Sequence, residues 1–173
     1  MFNLRNKIHP SPVGDLLLVA GSLLEGAEPK LLKISFLGER GEGTERDFPD
    51  DGDPSPRDTF LGTVSGQLDE YFQRQRKVFD VPLHLVGTPF QLKVWQALQE
   101  IPFGSTWSYG QQAAHVGCSG GARAVGAANG RNPISIIIPC HRVVGANGGL
   151  VGFGGGLPKK VQLLDFEQPS LFS

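Results

Sequence analysis

Ser108-Tyr109-Gly110-Gln111-Gln112-Ala113-Ala114-His115-Val116-Gly117-Cys118-Ser119-Gly120-Gly121-Ala122-Arg123-Ala124-Val125-Gly126-Ala127-Ala128-Asn129-Gly130 is the stretch on which the reading of the fold turns. Ser108 with Gln111 three positions on is a capping box, which predicts a helix from Tyr109 to Val116 that Gly117 terminates. A second short helix is expected from near Ser119 to about Gly130. Two short helices across a tight Gly-containing turn outline a helix-turn-helix. In the second one nearly every side chain is tiny. A helix with its side chains is about 10–12 Å across, whereas the minor groove of B-DNA is about 6 Å wide, so a helix seats there only if shaved and if the groove opens. Ala122, Gly126 and Gly130 share one shaved face, which equally suits close packing on a neighbouring helix. An interior glycine costs roughly 1 kcal/mol against Ala, so some close approach has to compensate in either case. Arg123 is the one long cation on this helix.

Upstream, Thr88, Pro89 and Gln91 form another capping box with Pro at the first helical position. Phe90, Val94, Leu98 and Ile101 then line one face, and Ile101-Pro102 closes the helix. Downstream, the apolar run Ile134 to Ile138 is bounded by Pro133 and Pro139 and delivers Cys140, His141 and Arg142. Cys140 by itself fits a small buried hydrophobe. After a proline turn it equally fits a thiol at a pocket edge, where a cationic neighbour favours the reactive thiolate. Adjacent residues do not face each other, so His141 is expected to reach Cys140 indirectly, for example through a water. Cys118, in the inter-helix turn, reads as structural. His9, His84 and His115 lie apart and no second cysteine stands near Cys140, so no metal site is expected.

The N-terminal half has a different character. Phe2 to Ile8, Leu16 to Ala20 and Leu31 to Leu37 are short apolar segments between turns, which predicts a small antiparallel sheet. Leu61, Val64, Leu68 and Phe72 recur at helical spacing. Glu39 to Asp58 holds eight acids among Gly and Pro and reads as a solvated loop. Pro82 to Gly87 reads as a linker. The fold class is therefore α+β: residues 1–83 form an α/β support domain of sheet plus helix, and residues 84–173 a mostly helical domain with the helix-turn-helix.

A chain of 173 residues buries about two thirds of its unfolded surface. Its apolar content of 39% and charged content of 19% exclude the disordered and fibrous classes. The net charge of -1 hides ten basic and fourteen acidic side chains in residues 1–86 against six and three in residues 87–173. The apolar runs are far shorter than the eighteen or so residues of a membrane helix. Pro10 and Pro12 interrupt the N-terminus before any signal-like apolar run. No membrane partner is expected, and an intracellular location is.

Pro139-Cys140-His141-Arg142-Val143 resembles the O(6)-alkylguanine-DNA alkyltransferases, also called methylated-DNA:protein-cysteine methyltransferases. Gly87-Thr88-Pro89-Phe90-Gln91, Trp95, Ile101-Pro102-Phe103-Gly104, Ser108-Tyr109-Gly110, Ala122-Arg123-Ala124-Val125-Gly126 and Asn132-Pro133 follow the same family's order and spacing. The resemblance covers residues 87 to 168, about half the chain.

The resemblance implies DNA repair by direct reversal. Cys140 takes the alkyl group from guanine O6, and by extension from O4-alkylthymine, in a single irreversible turnover that consumes the protein. It implies that Glu167 orients His141, that His141 deprotonates Cys140 through a water, and that Tyr109 donates to guanine N3 as the bond to O6 breaks. The base must be flipped out of the duplex at a cost of a few kcal/mol, with Arg123 filling the space it leaves. The small residues Ala122, Gly126 and Ala127 face the DNA. Val143, Phe153 and Gly154 line the base pocket with Tyr109, and Asn132 braces the turn before Cys140. Phe153 stands where many relatives carry Tyr, so a ring face remains without its hydroxyl. The implied partner is double-stranded DNA bearing alkylated guanine, bound through the minor groove by a monomer, with no cofactor and no zinc. Two rivals remain: a non-catalytic lesion binder of the alkyltransferase-like kind, which Cys140 opposes, and a cysteine hydrolase, which leaves the shaved helix unexplained.

Overall fold

The computed structural model describes residues 3–24, 26–38, 59–152 and 155–169. The acidic stretch read as a solvated loop lies outside them. The chain divides into two compact units, residues 1–85 and 86–173.

In the first unit β1 (Asn3–His9), β2 (Leu16–Ser22) and β3 (Lys30–Phe36) form an antiparallel sheet in sequence order. The central strand β2 is buried along its whole length, which is why its sequence is a continuous apolar run with no polar alternation. α1 (Thr59–Phe72) buries Leu61, Val64, Leu68 and Tyr71 completely. Tyr71, not the expected Phe72, closes that face, because spacings of three, four and three residues track the helical repeat more closely. The segment read as a linker starts inside this unit. Leu83 bridges Leu31 in parallel, Leu31 N donates to Pro82 O, and His84 N donates to Leu31 O, both at 2.9 Å.

In the second unit α2 (Pro89–Leu98) begins with the Thr88–Gln91 box. It ends before Ile101, because Gln99, Glu100 and Ile101 turn to tighter bonds three residues back. The two-residue strand β4 (Trp107–Ser108) leads into α3 (Tyr109–His115), which carries the Ser108–Gln111 box and ends at Gly117 with φ +75°. α4 (Ala122–Asn129) starts later than the expected Ser119. Gly120 at φ +82° and Gly121 are spent in the turn, where Gly121 N donates to Cys118 O at 2.8 Å. After α4 the chain passes the buried Ile134–Ile138 run into a single 3-10 turn at Cys140–Arg142, then β5 (Val143–Val144) and α5 (Leu157–Glu167). β5 pairs in parallel with β4, Trp107 opposite Val143 and Ser108 opposite Val144. That short ladder brings the first residue of α3 beside the Cys140 turn.

Among the described residues no helix is long and apolar enough to cross a membrane.

Candidate active site

The turn that carries Cys140 is held from before and behind. Asn132 Nδ2 donates to Ile138 O at 2.7 Å, and Ile134 N donates to Asn132 Oδ1 at 3.0 Å, so one amide closes the loop between α4 and the thiol. Inside the loop Ile136 takes φ +73°, a conformation disfavoured for a β-branched side chain, which marks stored strain four residues before Cys140. Behind the turn, α5 buries Lys160, Leu163, Leu164 and Glu167 on one face.

Glu167 is the hub of the rear. Its Oε1 lies 2.8 Å from His141 Nε2, and Arg142 reaches both carboxylate oxygens, Nε to Oε2 at 2.8 Å and Nη2 to Oε1 at 2.9 Å. Arg142 Nη1 also donates to Ile101 O at 2.6 Å, and Gly104 N donates to Glu167 Oε2 at 3.3 Å. Burial pushes the Glu167 carboxyl up, but hydrogen bonds and charge from His141 and then Arg142 outweigh it and hold it far below the usual carboxylate range. Burial lowers the pKa of His141, Glu167 raises it, Arg142 and Lys160 lower it again, and the net direction is down. The imidazole is therefore neutral at neutral pH. With Nε2–H given to a carboxylate, Nδ1 carries the lone pair, and it makes no hydrogen bond to any described residue.

In front of Cys140 lies a cavity of about 480 Å³. Cys140 is only 8% exposed, yet it forms part of this wall. Tyr109 stands at the start of α3, while Ala122, Arg123, Gly126, Asn129 and Gly130 come from α4 and its end, and Val151 and Gly152 close the rim. At Gly126 of α4 a Cβ would stand 3.5 Å from Tyr109 Cε1, in ordinary van der Waals contact. The Tyr109 ring packs beside this interior glycine but leaves room for a methyl group, so the close approach expected from the sequence is not what demands glycine here. The Tyr109 hydroxyl donates to Val151 O at 2.7 Å and accepts from Lys160 Nζ at 3.3 Å. Lys160 Nζ donates also to Val143 O at 2.6 Å and Val151 O at 3.1 Å. Burial lowers its pKa to about 8 against an opposing pull from Cys140. Burial, and next the Cys140 charge, raise the Tyr109 pKa, so its hydroxyl keeps its proton.

Of the residues singled out from sequence, Cys140, Tyr109, Ala122, Arg123 and Gly126 meet on one cavity, with His141 and Glu167 behind it and Asn132 bracing the turn. Ala127 is exposed and off the cavity wall. Val143 is fully buried and contributes its carbonyl to Lys160 rather than a surface to the cavity. Phe153 and Gly154 lie outside the described residues. Sequence reasoning missed Lys160 and Asn129, and it named Arg142 beside Cys140 without giving it a role. Lys160 sits seven positions before Glu167 with Leu163 and Leu164 between them, so helical spacing already placed it on the buried face. Among the described residues no cluster of three His, Cys, Asp or Glu is suited to a metal.

Residues 89–169 match the family described as 6-O-methylguanine DNA methyltransferase, DNA binding domain. The chain is 46% identical over 159 residues to the methylated-DNA–protein-cysteine methyltransferase of Mycobacterium tuberculosis strain H37Rv, covering 91% of this chain and 88% of that one. It is 44% identical over 161 residues to the protein of the same name from Methanosarcina acetivorans, covering 92% and 96%. The crystal structure of Mycobacterium tuberculosis OGT in complex with DNA superposes with a TM-score of 0.79 at 42% identity, over 95% of this chain and 92% of the other.

Proposed function

Because the chain belongs to the methylated-DNA–protein-cysteine methyltransferase family, we propose that it repairs DNA by direct reversal, moving the alkyl group of O6-alkylguanine onto Cys140. The observation that carries the reading is that the thiol lines the same cavity as the small-residue helix bearing Arg123. The lesion oxygen is inaccessible in a stacked duplex, so a nucleotide must swing out to reach such a cavity. α4 seats in a widened minor groove on Ala122 and Gly126, and exposed Arg123 takes the place of the departing base. The acting unit in this reading is the monomer.

The chemistry is an in-line displacement. The Cys140 proton passes through a water to His141 Nδ1, whose imidazolium is supported by Glu167. The sulfur–carbon bond forms as the carbon–O6 bond breaks, and the electron pair stays on the guanine. Tyr109 delivers a proton to N3 of the guanine anion, and the Lys160 ammonium, already bonded to the phenol oxygen, stabilises the phenolate left behind. The thioether is stable, so each chain acts once.

Incubating the protein with a duplex oligomer containing O6-methylguanine and mapping the added mass by peptide mass spectrometry tests this. One methyl per chain, on Cys140 and absent from Cys140→Ala, is expected. An adduct on Cys118, or release of more than one repaired base per chain, overturns it.

A further inference from the structure

α3 and α4 meet along a seam with two ends. At one end the Tyr109 ring lies over Gly126. At the other, two amides are paired reciprocally: Gln112 Nε2 donates to Asn129 Oδ1 at 3.0 Å, and Asn129 Nδ2 donates to Gln112 Oε1 at 2.7 Å. Gln112 is fully buried, and Asn129 is buried at the cavity wall. Gln112 Nε2 has a second hydrogen, which goes to Val94 O on α2 at 3.4 Å. A backbone carbonyl only accepts, so this contact fixes which end of the Gln112 amide is nitrogen, and the Asn129 orientation follows from it. One residue before Asn129, Trp95 Nε1 of α2 donates to Ala128 O at 2.8 Å. Three helices are thus joined in one layer by directional bonds.

The spacing turns this layer into a register lock. Tyr109 and Gln112 are three apart on α3, and Ala122, Gly126 and Asn129 are four and three apart on α4, so each set shares a helix face. An apolar seam of small residues tolerates sliding. A buried amide pair does not, because any slip leaves donors and acceptors of both residues buried without partners. A polar pair in a buried helix contact specifies one alignment in this way.

We infer that Gln112 and Asn129 are positioning residues for transfer from duplex DNA: their amide pair holds α4 at one register on α3, and so sets Arg123 at a fixed place relative to Tyr109 on the cavity wall. The inference rests on the function proposed above. Gln112 is off the cavity wall and acts wholly through α4. The demand falls on the duplex reaction, in which Arg123 must occupy the base's place while Tyr109 meets the base. A free base asks nothing of Arg123.

The test compares wild type, Gln112→Leu and the double variant Gln112→Leu/Asn129→Leu, each assayed well below its own Tm. The substrates are a duplex bearing O6-methylguanine and the free base O6-methylguanine. Gln112→Leu is expected to lower the Tm and to slow the duplex reaction at least about tenfold, the scale on which small misplacements act. Its free-base reaction should stay within about twofold of wild type. The double variant refills the seam with apolar groups and is expected to recover the Tm without recovering the duplex rate. A double variant that repairs duplex DNA at the wild-type rate, or a Gln112→Leu protein that loses both reactions equally, overturns the positioning role. A wild-type protein that acquires no methyl on Cys140 instead overturns the function on which the inference stands.

Discussion

The two sides of Cys140 are built on opposite electrostatic plans. Behind it, Glu167 is shared by His141 and Arg142 in a buried knot with each carboxylate oxygen engaged at least twice. In front of it, Lys160 and Tyr109 hold each other and the backbone carbonyls of residues 143 and 151 at the edge of an open cavity. The rear fixes protonation states: Glu167 is held far below the usual carboxylate range and stays ionised, and His141 is shifted down and stays neutral at neutral pH. The front contains a cation that titrates at about 8. A nucleophile that reacts once gains from this division. In the proposed reaction a rigid rear keeps a neutral imidazole ready as base, whereas the front exchanges its own contacts for those of an incoming nucleobase.

Removing the hub of the rear should produce the largest change. Glu167→Gln leaves the Arg142 guanidinium buried without its counter-charge and is expected to cost about 3–5 kcal/mol of unfolding free energy, measured by urea denaturation. It should also flatten the acid limb of stability. The folded-state pKa of Glu167 lies far below its ordinary 4.5, so its contribution is complete above the ordinary value and is lost as pH falls toward the depressed one. A variant whose stability still falls as steeply from pH 5 to pH 2 would show that the acid sensitivity lies elsewhere.

At the front the expected losses are in rate rather than in stability. Arg123 is exposed, so Arg123→Ala should leave the Tm nearly unchanged while slowing methyl transfer from duplex DNA by about tenfold or more against the free base. Equal loss on both substrates would remove its flipping role. Lys160 sets a pH dependence. Below about 8 it is charged and supports the Tyr109 oxygen; as pH rises through about 8 that support goes and transfer should slow. The depressed pKa of His141 keeps the base neutral to below 6.5, so the acid limb should begin only below that value. Lys160→Met is expected to run several-fold slower on the plateau and to lose the alkaline limb. An unchanged alkaline limb would assign it to another group.

The sequence made the frame and the reactive residues legible because both announce themselves over short distances. Two capping boxes, the Gly117 stop and the central apolar strand are local signals, and each recurs in the structure where local chemistry puts it. Cys140 stood out by its place after a proline turn and Arg123 as the one long cation on its helix, whereas Tyr109 was named only through the family resemblance, and the three converge on one cavity. What escaped was long-range and polar. Arg142 bonds to Ile101 and Glu167, and Gln112 to Asn129, through pairings that no periodicity reveals. Lys160 was passed over because lysine is almost never fully buried, although its spacing from Glu167 pointed inward. The Ser119 start for α4 failed since Ser is a good cap in general, while two following glycines drew the turn past it.

The smallest effect discriminates most finely between frame and front. Thr88 and Ser108 cap α2 and α3 with the same reciprocal box, the Thr88 oxygen accepting at 3.2 Å and the Ser108 oxygen at 3.0 Å. Replacing either by Ala should cost about 1 kcal/mol, the usual worth of such a cap, so their melting curves should shift alike. Their chemistry should not. Ser108 belongs to β4, whose partner β5 follows the Cys140 turn, and it immediately precedes Tyr109. Fraying there loosens Tyr109, the proposed proton donor to guanine N3. Thr88→Ala frays a helix start that lends no side chain to the cavity. Below both melting midpoints, Ser108→Ala should therefore transfer methyl groups measurably more slowly than Thr88→Ala. Equal rates would mean that the ladder between β4 and β5, rather than the cap, holds Tyr109 in place.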